Sequence, residues 1–278
     1  MTLPRQMHDA KHGEAARDGG GSRADIHPVL AVIPARGGSK GLPGKNLRAV
    51  AGIPLIGHAI RCAQRVPGIA RIVVSTDSPE IAAVARDFGA DGPFLRPAEL
   101  SGDNAPTVAA LQHALAFVEA EEGRHYGALL LLEPTSPGRL PEDIEGTFAL
   151  LQARPDVDGV VGCSVPHFNP YYVGVIEREG VLAPAIPRPA GLTRRQDAPP
   201  FLRINGAVYL WRRDFLASAP ADWTVGRHVP FVIPDSRAVS IDELADLLIC
   251  EAMIEKGQWQ LPWLAPGVEP VASKGAAR

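Results

Sequence analysis

The sequence predicts an α/β protein, a doubly wound and mostly parallel sheet carrying a small inserted lobe. Short apolar runs of strand length alternate with helical periodicities from residue 29 to about 165, as βαβ units require. A loop dense in glycine and positive charge, IPARGGSKGLPGKN at 33–46, follows the first run. Asp77 and Glu133 fall just beyond two further runs, and in open sheets of this kind ligands sit past the carboxyl ends of the strands. These three observations place one site at one edge of the sheet.

Val29-Leu30-Ala31-Val32-Ile33 is predicted as a strand buried on both faces, because its apolar run is unbroken. Pro54–Val66 is predicted as a helix, with Leu55, Ile56, Ala59, Ile60 and Ala63 on one face and a proline suited to the first turn. Then follow a strand at Arg71–Thr76, a helix at Pro79–Phe88, a helix near 106–121, a strand at 127–132, a helix at 141–153 and a strand at 159–165. Prolines 166, 170, 184, 187, 189, 199 and 200 break the pattern, so 166–204 is predicted as an inserted lobe with short extended pieces such as Tyr171–Ile176. Ala207–Trp211 restores a strand, and a last helix runs from about Asp242 to Lys256. The implied organisation is a disordered extension at 1–27, a single domain at 28–257 and a flexible tail at 258–278.

Hydrophobic residues make up 46% of the 278, enough for a sizeable core. A formal net charge of −3 argues against nucleic-acid binding by bulk positive charge. No apolar run approaches the roughly 18 residues of a membrane span, and residues 1–27 lack a signal-peptide core. Cys62, Cys163 and Cys250 are too far apart for a CxxC pair and odd in number, which predicts core thiols in a reducing, cytoplasmic setting.

The loop at 33–46 is neither of two familiar phosphate binders. A P-loop needs glycine at position 39, which is serine, and Ser or Thr after Lys45, which is Asn46. GxGxxG is absent there as well. What the loop offers is Arg36, then glycines 37, 38, 41 and 44, then Lys45. Glycines let backbone N–H groups curl round an anion, arginine forks onto two phosphate oxygens and lysine adds a mobile charge.

The loop resembles the opening signature of the CMP-sialic acid synthetases (acylneuraminate cytidylyltransferases), relatives of the CMP-Kdo synthetases. VVSTDSPEI at 73–81, LRPAELSGD at 95–103, LLEPTSPGR at 131–139, RRQ at 194–196, NGAVY at 205–209 and SIDELADLL at 240–248 continue the resemblance in order, over roughly 29–256. It implies a Rossmann-like nucleotidyltransferase fold and a Mg²⁺-assisted reaction. In that reaction the anomeric hydroxyl of a 2-keto-3-deoxy sugar acid attacks the α-phosphate of CTP. By resemblance, Lys45 and Arg36 are catalytic; Arg36, Gly37, Ser39, Lys45, Asn46 and Arg96 bind nucleotide; and Glu133, Arg195, Gln196, Arg203 and Asn205 bind sugar. Asp242 and Asp77 are the implied metal ligands, and the 166–204 lobe is the implied dimerisation element of a homodimer.

Three positions depart from the family's pattern. Ser240 stands where the first of two aspartates is usual, leaving Asp242 as metal ligand or as a cap of the last helix. Glu133 stands where glutamine is commoner, which would repel a nearby substrate carboxylate and attract a hydrogen-bond donor. Pro106 stands where serine is frequent. Two other readings follow from the same residues: a sugar-1-phosphate nucleotidyltransferase, or a nucleotide-binding protein without catalysis.

Overall fold

Strand β1, Val29–Pro34, is the keel of the sheet in the computed structural model, which describes residues 23–264 apart from 24, 39, 40, 93 and 190. The predicted extension at 1–27 and tail at 258–278 therefore lie largely outside the described residues, as does Ser39. The remaining strands are β2 (Ala49–Val50), β3 (Ile53–Pro54), β4 (Ile69–Ser75), β5 (Ala128–Leu131), β6 (Gly159–Ser164), β7 (Val175–Arg178), β8 (Val181–Pro184), β9 (Arg203–Arg212) and β10 (His228–Val232). The helices are α1 (Leu55–Ala63), α2 (Pro79–Asp87), α3 (Thr107–Glu122), α4 (Pro141–Ala153), α5 (Pro170–Val173), α6 (Arg213–Ser218) and α7 (Leu244–Glu255).

Six strands form the main sheet in the order β10-β6-β9-β5-β1-β4. β1 lies parallel to β4 and β5, and β10 lies parallel to β6, while β9 runs antiparallel between β5 and β6. Alternate residues of β1 feed two cores. Val29, Ala31 and Ile33 pack on the α1 and α4 side, and Leu30 and Val32 on the α3 and α6 side. All five are fully buried, each worth about 1.5–3 kcal/mol relative to exposure for the larger side chains. The unbroken apolar run is thus explained by helices on both faces.

The last helix builds a third core. Leu42 from the glycine-rich loop, Val50 and Leu55 pack with Ile241, Cys250 and Trp259. This cluster carries the segment before α7 onto the loop after β1. A side chain at Gly41 would place its Cβ 2.5 Å from the Asp242 carbonyl oxygen, so only glycine permits that approach.

Two predicted elements differ. Tyr171–Ile176 is not one strand: Pro170–Val173 is a helical turn capped by Asn169, whose side chain accepts from the Tyr171 N–H, and the strand starts at Val175. β10 went unpredicted because Pro230 interrupts it. An edge strand tolerates the missing N–H, and β10 is the sheet's edge. The predicted lobe is an excursion between β6 and β9, built round the β7–β8 hairpin, and Ser164 and Arg203 at its two roots pair on one rung.

Candidate active site

A cavity of about 560 Å³ is lined by Arg36, Lys45, Asn46, Arg96, Glu133 and Asp242 among others, within the size range of small-molecule sites. β1 delivers Arg36, β4 leads to the segment bearing Arg96, and β5 leads to Glu133. The sheet edge that the sequence predicted is where these residues meet.

The loop after β1 is fastened from several sides. Asn46, 6% exposed, donates from Nδ2 to the Arg36 carbonyl at 3.0 Å. Asp77 accepts the Gly37 N–H at 2.8 Å, and that bond braces the loop. Asp77 is not among the cavity's lining residues. Lys45 lines the cavity and donates from Nζ to Asp242 Oδ1 at 2.9 Å. Arg36 donates from Nη1 to Asp103 Oδ1 at 2.6 Å.

Arg96 is buried, held by its backbone N–H on the Thr76 carbonyl at 2.7 Å and by Nε on Ser101 Oγ at 3.1 Å. Burial lowers the pKa of its guanidinium; Asp77 counters the shift and Arg36 adds to it. Pro106, the residue preceding α3, also lines the cavity.

Glu133 is partly buried, and no hydrogen bond to its carboxylate is formed among the described residues. Desolvation raises its pKa above the usual carboxylate value; the charges of Arg139 and Lys45 oppose the rise and that of Asp242 adds to it. Fully buried Arg139 holds the strand end by donating to the Ala207 carbonyl at 2.5 Å and the Glu133 carbonyl at 2.6 Å. Gly206 adopts φ +73°, and a Cβ there would lie 3.0 Å from Glu133 Oε2 and 3.6 Å from Ser136 Oγ. The buried Ser136 hydroxyl has no partner among the described residues. Glycine at 206 keeps this polar corner open.

The other sugar-binding candidates stand elsewhere. Arg195 and Gln196 line a second groove of about 360 Å³ with Asn169 and Phe201, and Arg195 donates to the His167 carbonyl. Arg203 grips Asp235 at 2.9 Å and the Ala238 carbonyl at 3.0 Å, bracing the turn that leads to Asp242. Asn205 is buried, donating to Ser164 Oγ at 2.9 Å and accepting the Ala207 N–H at 3.0 Å.

Asp242 does not cap α7 through its side chain. Asp246 Oδ2 accepts the N–H groups of Asp242 and Glu243 at 2.8 and 3.0 Å, leaving the Asp242 carboxylate, 74% exposed, beside Lys45. Among the described residues no group of three or more His, Cys, Asp or Glu could hold a metal. Mg²⁺ does not need one, since it keeps waters and binds through one or two carboxylates plus substrate phosphates. Asp242, exposed in the cavity with Ser240 nearby in sequence and lining, fits that role.

Sequence reasoning assigned no role to Asp103, Ser136 or Arg139. All three lie inside the motifs that carry the resemblance, LRPAELSGD at 95–103 and LLEPTSPGR at 131–139, but nothing in those motifs says what each side chain holds.

Residues 30–149 match the family described as Cytidylyltransferase. The chain is 32% identical over 231 residues to the CMP-N,N'-diacetyllegionaminic acid synthase of Legionella pneumophila, covering 83% of this chain and 97% of that one. It is 31% identical over 227 residues to the Campylobacter jejuni protein of the same name, covering 81% and 94%. A solved CMP:2-keto-3-deoxy-manno-octonic acid synthetase complexed with CTP superposes with a TM-score of 0.61 over 82% of this chain and 99% of that one. Its 21% identity speaks to the fold alone. Aligned over more than four-fifths of its length with two such synthases, the chain belongs to the cytidylyltransferase family.

Proposed function

We propose that the chain transfers CMP from CTP to the anomeric hydroxyl of a nonulosonic acid. The observation that carries this reading is the convergence of Arg36, Lys45 and Arg96 with Asp242 and Glu133 in one cavity of a cytidylyltransferase fold. The hydroxyl oxygen forms a bond to the α-phosphorus and gives its proton up to solvent, while the bond to the bridging oxygen breaks and pyrophosphate leaves. Such transfers depend on positioning and on stabilising charge at the phosphoryl group. Arg36 and Lys45 supply cations on a loop fixed by Asn46 and Asp77. Gly37 and Ser39 complete the phosphate cradle in this reading. Arg96 lies buried in the nucleotide's part of the cavity. Asp242 would hold Mg²⁺, which neutralises the departing pyrophosphate; Asp77 braces the loop and is a second candidate ligand.

Glu133 faces the sugar in this reading, and its unpartnered carboxylate favours an acid that presents an N–H donor. The acid named in the relatives' product, N,N'-diacetyllegionaminic acid, carries two such donors. Arg195 and Gln196 contribute cation and amide from the lobe, with Arg203 and Asn205 holding its root. The hairpin leaves Val181 and Leu182 65% and 76% exposed, which supports a homodimer that covers them. We place the enzyme in the cytoplasm, where CTP is made; no described helix is long and apolar enough to cross a membrane.

The test is pyrophosphate release from CTP and Mg²⁺ across sialic, legionaminic, pseudaminic and Kdo acids. Release with a diacetamido acid well above that with Kdo is expected. No release with any of the four would overturn the assignment. Light scattering at micromolar protein reports the dimer.

A further inference from the structure

Two of the cavity's cations are already paired with carboxylates that line it. Among the described residues Arg36, Lys45 and Arg96 line it, and so do Asp103, Glu133 and Asp242. The two pairs are Lys45 on Asp242 at 2.9 Å and Arg36 on Asp103 at 2.6 Å. A polyphosphate entering this space meets an arginine that already has a carboxylate on it.

We infer that Asp103 is an internal competitor for Arg36 and sets how tightly the cavity takes an unchelated nucleotide. The inference rests on the reading that this cavity holds the triphosphate of CTP. Three observations support it. Asp103 and Arg36 are 67 residues apart in sequence, so the contact is made by the fold and not by a local turn. The two side chains are 42% and 35% exposed, which leaves the pair exchangeable and not locked in a dry interior. The turn bearing Asp103 is fixed independently: Ser101 Oγ donates to the Pro97 carbonyl at 3.0 Å and the Ala105 N–H to the Gly102 carbonyl at 3.1 Å. Releasing Arg36 therefore does not require the turn to unfold, and the Asp103 carboxylate stays on the cavity wall, where it can take Arg36 back from the incoming anion. A nucleotide already chelated by a divalent cation presents less negative charge, draws less on Arg36 and so gains less when the competitor is removed.

The experiment is calorimetric titration of the full chain with CTP and with inorganic pyrophosphate, in EDTA and in Mg²⁺, at low salt. The variants are Asp103→Asn and, as a control for lost surface charge, Asp156→Asn, whose carboxylate pairs with Arg154 in an exposed turn. Asp103→Asn keeps the shape and an acceptor oxygen. It is expected to bind both ligands about two- to fivefold more tightly in EDTA, the range opened by removing one competing exposed ion pair. The gain should be smaller in Mg²⁺, and Asp156→Asn should match the wild type. If Asp103→Asn melts early, Asp103→Ser is read the same way. Equal or weaker binding by the Asp103 variants, with a wild type that binds CTP, overturns the inference and leaves the nucleotide reading intact. A wild type that binds neither ligand in either condition overturns both.

Discussion

Replacing Glu133 with glutamine keeps the side chain's shape and removes its charge, at the one cavity carboxylate without a hydrogen bond among the described residues. A hydrogen bond to a charged acceptor contributes about 1.5–3 kcal/mol and one to a neutral acceptor about 0.5–1.5. The amide oxygen of glutamine still accepts, so a sugar N–H held by Glu133 loses about 1–1.5 kcal/mol, or about five- to twelvefold in affinity. Gly206 leaves that corner open, so the isosteric amide needs no repacking. kcat/KM should therefore fall by that factor for a diacetamido acid, whose second N–H the carboxylate would hold, and change little for plain N-acetylneuraminic acid, which lacks that second donor, measured by pyrophosphate release at saturating CTP and Mg²⁺. Parallel changes for the two sugars would refute the reasoning, and Glu133 would then be a structural carboxylate at a strand end.

Lys45→Ala should lower turnover by about 10²–10³, the usual loss for one stabiliser of transition-state charge, while leaving the melting temperature nearly unchanged because its partner Asp242 is exposed. Asp242→Asn should raise the Mg²⁺ concentration for half-maximal activity without loss of stability, since Asp246 makes the backbone bonds at the helix start; an unchanged Mg²⁺ dependence would remove Asp242 from the metal site. His58 accepts the Trp263 indole N–H at Nδ1 and faces the Val50 carbonyl at 2.8 Å through Nε2, and burial lowers its pKa to about 4. Its folded pKa lies below the unfolded value of about 6.5, so stability is complete above pH 6.5 and about 3 kcal/mol is lost as pH falls toward 4. Denaturant melts across that window should show this decline, and a His58→Gln variant should be less stable at pH 7 and flatter below it. Glu133→Gln should be at least as stable as the wild type at pH 7, because a carboxyl whose pKa is raised by folding costs stability above the ordinary carboxylate value; that advantage should vanish as pH falls below it.

What the sequence made legible is what depends on short stretches of chain. The loop at 33–46 concentrates glycine, arginine and lysine within a few residues, so its chemistry needed no tertiary information. α4 was predicted at 141–153, where it lies, because Pro141 opens it and apolar residues recur at helical spacing. β10 was illegible because its proline contradicts a strand unless one knows that it lies at the edge. Asp103, Ser136 and Arg139 were illegible because each acts on a residue delivered by another segment. Asp242 shows the boundary between the two cases. Its place before a helix was visible, but whether it or Asp246 secured that helix depended on side-chain geometry that spacing does not encode.

Ser164 and Arg203 face each other on one rung, so the chain leaves the sheet and returns to it at the same point. The excursion between them is, for the sheet, a single long hairpin loop. Loop closure grows only logarithmically with length, each doubling adding about 0.6 kcal/mol, so the sheet is nearly indifferent to how much chain hangs there. The groove bearing Arg195 and Gln196 belongs to that excursion, whereas the cradle of Arg36 and Lys45 belongs to the sheet. That excursion is thus free to be rewritten while the sheet is not. A lineage could alter the lobe's share of the acceptor contacts by editing one loop, without disturbing the strands that hold the nucleotide.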